Sequence, residues 1–113
     1  MPKLEPRDLF PGALEMMILR SLTREPSHGY ALVQQIKRAS KDLLEIEEGS
    51  LYPALQRMLK EGWVRARWSA SPRGRRVRVY EITAAGSRHL EEQVSHFERM
   101  LKGIRLVLSP VVR

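Results

Sequence analysis

The chain has 113 residues, 42% hydrophobic and 29% charged, enough for one domain with a modest core and too few for two independent ones. No apolar run approaches the ~20 residues of a membrane span, the N-terminus shows no secretory pattern, and cysteine is absent. The expectation is a cytoplasmic protein without disulfides, thiolate metal sites or a cysteine nucleophile. The formal charge of +7 is local: Arg57 to Arg78 holds eight basic residues against one acid, Glu61, and the remainder balances at 12 basic and 12 acidic. Such a run is a solvated face or a binding surface, and the elements that carry it decide which.

Pro2, Pro6 and Pro11 mark an extended N-terminal arm that turns at Gly12. From Ala13 to about Leu22, Leu14, Met17, Ile18 and Leu22 recur at spacings of three and four, a helix with one buried stripe, and Pro26 ends it by Glu25. Ser27 is a suitable N-cap for a second helix, HGYALVQQIKRAS, with Leu32, Val33 and Ile36 facing inward. Leu43, Leu44 and Ile46 lead to a third helix within EEGSLYPALQRMLKEGW, where Leu51, Leu55, Met58 and Leu59 form the stripe and Gly62 the stop. Glu47 and Ser50 are alternative N-caps, and either leaves Pro53 within the first two turns, where a missing N–H costs little.

Beyond Gly62 the period becomes two. WVRARWS alternates Val64, Ala66 and Trp68 with Arg65 and Arg67, RVRVYEI alternates Val77 and Val79 with Arg76 and Arg78, and ASPRGR between them holds turn-forming Pro72 and Gly74. The reading is a hairpin with one apolar face, one arginine face and a basic tip. Thr83 then caps a long helix in which Leu90, Val94, Phe97, Leu101, Ile104 and Leu108 fall at spacings of 4, 3, 4, 3 and 4, a heptad seam that favours pairing with a second chain. The fold class expected is mainly α with a small β-hairpin: a winged helix-turn-helix with its arm over residues 1–82, then a long C-terminal dimerisation helix over 83–113. In that plan one helix enters the DNA major groove and the hairpin reaches the adjacent backbone, which is where the excess charge lies.

The segments GALEMMILRSL, PSHGYALVQQI, EEGSLYPALQRMLKEGWV and VYEITAAGSRHL resemble, in order and spacing, the PadR family of transcriptional regulators, over nearly the whole chain. HGY, GSLYPAL…EGW and Y-x-x-T-x-x-G are specific in combination. The resemblance implies a bacterial repressor, homodimeric through its first and last helices, that occupies a palindromic double-stranded DNA operator. It also implies that a small-molecule effector at the dimer interface, such as a phenolic compound or drug, releases the DNA. The family's recognition-helix positions match Ser50, Tyr52, Pro53, Gln56 and Arg57, and its wing positions match the basic run of Arg73, Arg75 and Arg76. Read from the residues themselves, Ser50 is either a cap or a phosphate contact. Tyr52 lies off the apolar stripe with its hydroxyl free for a phosphate, Gln56 suits adenine and Arg57 suits guanine or phosphate. Lys60 reads as solvated, and His28, Gly29 and Tyr30 as structural. Trp68 either packs on the domain or sits near DNA. Leu14, Leu90, Val94, Phe97, Leu101 and Ile104 are the expected dimer residues. The single C-terminal helix resembles the short-form subgroup, and with Phe97 its only aromatic it offers little for stacking a flat ligand.

No cofactor or metal is expected and catalysis is disfavoured: His28, His89 and His96 lack metal spacing, and no phosphate-cradling loop or nucleophile motif is present. The competing readings are a winged-helix module gripping an acidic protein partner and a double-stranded RNA binder reading shape and 2′-hydroxyls.

Overall fold

The computed structural model describes residues 2–110. Four helices run α1 (Ala13–Arg24), α2 (Gly29–Ala39), α3 (Glu48–Lys60) and α4 (Ala84–Leu108), and three antiparallel strands run β1 (Ser27–His28), β2 (Val64–Ala70) and β3 (Arg76–Ile82), in sheet order β1-β3-β2. Ile18, Leu19, Leu22, Leu32, Leu51, Leu55 and Met58 close a helical core, and Val64 and Tyr80 seal it from the sheet side. Among the described residues no helix is long and apolar enough to cross a membrane.

The N-terminal arm is not simply extended. Pro6–Asp8 forms a 3-10 turn, and Leu4 pairs with the link between α2 and α3 through Leu4 N–H to the Leu43 carbonyl and Glu45 N–H to the Leu4 carbonyl, both 2.9 Å. The sheet gains a third strand because Ser27 and His28 pair with Tyr80 and Val79. Ser27 is therefore not the N-cap of α2. It is buried, its Oγ accepting from Gln35 Nε2 at 3.1 Å, while His28 takes the cap, its Nδ1 accepting from Ala31 N–H at 3.2 Å. In α3 the cap position is Glu47, which leaves Ser50 inside the first turn.

The helix stop at Gly62 and the start of α4 form one joint. Gly62, at φ +77, donates its N–H to Leu59 and Trp63 donates to Met58, a Schellman closure that satisfies the last carbonyls of α3. Thr83 then caps α4, its Oγ1 accepting from Gly86 N–H at 3.0 Å while donating to the Gly62 carbonyl at 2.6 Å. Gly86 lies so close to the chain at Trp63 that a Cβ would sit 2.0 Å from its carbonyl oxygen. The spacing of EGW and T-x-x-G thus encodes where the last helix leaves the domain.

Pairing also changes the faces of the hairpin. Residues opposite each other in antiparallel strands share a face, and the register sets Val64 against Ile82, Ala66 against Tyr80, Trp68 against Arg78 and Ala70 against Arg76. One face is thus apolar where it meets the core and carries Trp68, Arg76 and Arg78 towards the tip. The other combines Arg65 and Arg67 with Val77, Val79 and Glu81. The alternation within each strand is real, but the two strands are out of phase, so no all-arginine face exists.

Candidate nucleic-acid interface

At about 100° per residue, α3 turns Leu51, Ala54, Leu55 and Met58 into the core, all buried. The opposite strip is centred on Pro53, Gln56 and Lys60, all exposed, with Tyr52 and Arg57 on its flanks. Each flank is held by a neighbouring helix. Arg57 pairs with Glu15 of α1 through its guanidinium. Tyr52 folds back over α2, where a Cβ on Gly29 would lie 2.6 Å from the phenolic oxygen. Partial burial, the nearby Glu48 carboxylate and Tyr80 raise the Tyr52 hydroxyl above its ordinary pKa, which keeps it a neutral donor. Tyr52 and Arg57 therefore frame the strip, whereas Gln56 and Lys60 stand in its middle. Sequence reading left Lys60 out, although its offsets of four from Gln56 and seven from Pro53 are the signal that places it there.

The wing turns back at Ser71–Gly74, where Gly74 N–H donates to the Ser71 carbonyl at 2.9 Å, Arg75 N–H donates to Ser71 Oγ at 3.1 Å, and Gly74 adopts φ +79. This carries Arg73, Arg75 and Arg76 on an exposed tip. At the base the charge is partly offset. Glu81 receives Arg67 Nε at 2.6 Å and lies 3.6 Å from Arg65, and the Arg67 hydrogen bond, with the charge of both arginines, holds its carboxyl below the ordinary carboxylate pKa. The local excess of positive charge is thus reduced by two acids from outside the run, Glu15 and Glu81, and what remains free of ion pairs among the described residues is concentrated at Lys60 and at the wing from Arg73 to Arg78. Trp68 is 58% exposed with Arg76 stacked 4.8 Å from its ring centre, and Arg78 lies 5.9 Å from the Tyr80 ring.

Residues 18–92 match the transcriptional regulator PadR-like family. The chain belongs to this family. The PadR-like chain is similar in structure to a transcriptional regulator of Clostridium thermocellum, at 26% identity over 87% of this chain and 92% of that one, with a TM-score of 0.80. It is also similar to a PadR-like transcriptional regulator of Bacillus cereus, at 30% identity over 88% and 95% of the two chains, with a TM-score of 0.74. In sequence it is similar to an uncharacterised protein of Lysinibacillus sphaericus, 28% identical over 102 residues, 90% of this chain and 94% of that protein.

Of the expected dimer residues of this PadR-like chain, Leu90 is 1% exposed and packs in the core of its own chain, which leaves it no surface for a partner. Leu14 and Val94 are partly buried against the same core. Phe97 is half-buried and stacks on Phe10 of the arm, 5.3 Å between ring centres. Leu101 is half-buried and Ile104 exposed. A cleft of about 440 Å³ opens where α1, α3 and α4 meet, lined by Gly12, Glu15, Arg57, Trp63, His89 and Gln93, and on its wall the Trp63 and His89 rings stack 3.6 Å apart. A flat aromatic surface is therefore present, built from Trp63 rather than from α4 alone.

Proposed function

We propose that this chain is a homodimeric, sequence-specific double-stranded DNA-binding transcriptional repressor, reading a palindromic operator with α3 and gripping its backbone with the wing. The observations that carry this reading are an exposed strip on α3, Pro53, Gln56 and Lys60, and a hairpin directly following that helix whose arginines free of ion pairs among the described residues are concentrated towards its tip. Gln56 presents an amide suited to the paired donor and acceptor of adenine, and Arg73, Arg75 and Arg76 release counterions from phosphates. Ser50, Tyr52 and Arg57 border the strip; Arg57 reaches DNA only by leaving Glu15. Because Glu47 and Glu48 crowd the first turn of α3, the docking geometry favours the middle of the helix over its N-terminal end.

The dimer reading rests on the far end of α4, where Ile104, Leu106, Val107 and Leu108 are all at least 50% exposed. They lie on several sides of the helix, more than a two-stranded seam covers, which favours a bundle with a partner's helices that also engages Phe97, Leu101 and Leu14. An effector seated in the Trp63 and His89 cleft would touch both Glu15 and Arg57, and so couple ligand to recognition helix. Selection of bound duplexes from a random pool at fixed salt tests the proposal: a two-fold sequence whose preference changes in Gln56→Ala supports it, and recovery of no preferred sequence rules out the specific reading.

A further inference from the structure

Trp68 is the largest exposed aromatic surface near the wing, and the hairpin register explains neither its size nor its exposure as packing. It lies opposite Arg78, with Arg76 on the diagonal, so one face of the ribbon carries the order Tyr80, Arg78, Trp68, Arg76 from the core outward. Aromatic and cationic groups thus follow one another along this face of the hairpin from the core to the wing tip. No acid pairs with Arg76 or Arg78 among the described residues, in contrast to Arg65 and Arg67 on the opposite face.

From this arrangement we propose that Trp68 is a DNA-contact and positioning residue: its indole holds Arg76 extended for a backbone phosphate and lays its own exposed edge against the adjoining deoxyribose of duplex DNA. A guanidinium stacked on an indole uses its flat face and leaves its N–H edges available, so the stack does not compete with phosphate binding. It also removes rotamer freedom from Arg76 before DNA arrives, which is the general way pre-organisation strengthens binding. The inference rests on the DNA-binding reading and adds a residue that the basic run does not contain. Bases extruded from a single strand would also stack on an indole, and the two sources differ in which DNA form engages the ring.

The test uses the full chain with Trp63→Phe, which leaves Trp68 as the sole tryptophan, titrated with a fluorescein-labelled mixed-sequence duplex of about 30 base pairs at low salt, followed by both anisotropy and indole emission. Binding seen by anisotropy accompanies a change in Trp68 emission. Trp68→Ala weakens binding about fivefold while Trp68→Tyr restores most of it. Combining Trp68→Ala with Arg76→Ala costs less than the sum of the two, because each works through the other. Circular dichroism of the exposed-site variants checks that the hairpin is retained. Duplex binding with silent Trp68 emission and unchanged affinity in Trp68→Ala overturns this inference alone. A stronger emission change with the single strand than with the duplex overturns the backbone role. Failure of the parent to bind any duplex overturns the DNA reading and this inference together.

Discussion

A methyl group at Gly86 would lie 2.0 Å from the Trp63 carbonyl oxygen and 2.9 Å from its carbonyl carbon, both backbone atoms that cannot step aside. Gly86→Ala must push the start of α4 away from the Gly62 joint, and a loss of about 3 kcal/mol in urea unfolding is expected. At Gly29 the corresponding clash is with the far end of the Tyr52 side chain, which is partly exposed and can swing out. Gly29→Ala therefore costs less, about 1 kcal/mol, and moves Tyr52 off α2. An equal loss in the two variants would show that backbone proximity is not what constrains Gly86. The close approach at Gly29 is readable in the sequence as a glycine inside a helix-opening signature. Its partner Tyr52 is not, because nothing local in either segment records that they touch.

At the scale of elements, periodicity exposes the four helices and the long strands because each buries one stripe, and the stop at Gly62 is legible from the αL requirement of a helix end. The two-residue strand at Ser27 is too short to have a period, and it moves the cap of α2 to His28. The phase between β2 and β3 is equally hidden, since it depends on the loop rather than on either strand. Phase decides that Glu81 shares a face with Arg65 and Arg67 and offsets part of their charge. Because the Glu81 carboxyl is held below its ordinary pKa, its contribution to the wing is fully present above the ordinary carboxylate range and is lost as pH falls through the lowered value. The difference in thermal midpoint between wild type and Glu81→Gln is thus largest near neutral pH and vanishes in acid. At neutral pH the same variant removes one negative charge from the wing base, and the slope of log affinity against log salt for duplex DNA should steepen by up to about 0.9. An unchanged slope would mean that Arg65 and Arg67 do not face the phosphates.

For the whole molecule, α4 carries the shape: the chain extends 66 Å along its longest axis and 21 Å along its shortest, with the apolar end of the helix far from the core. The heptad spacing is visible in sequence as one continuous seam, yet the structure divides it, because Leu90 serves the core of the chain whereas Leu101 and Ile104 lie beyond it. Under the proposed dimer, wild type sediments at twice the chain mass, and Leu101→Asp should halve that mass in sedimentation equilibrium while retaining helix content. Leu90→Ala should instead lower the unfolding free energy by about 3 kcal/mol. A dimer that survives Leu101→Asp would place the partner elsewhere.

The proposed reading of duplex DNA by the α3 strip and the cationic wing is tested most directly by duplex binding of wild type and Arg75→Glu/Arg76→Glu, measured by anisotropy across a series of salt concentrations. The double reversal should weaken binding to every duplex by about tenfold or more and flatten its salt dependence. Affinity and salt slope indistinguishable from wild type would contradict the wing's role and, with it, DNA as the ligand of this surface.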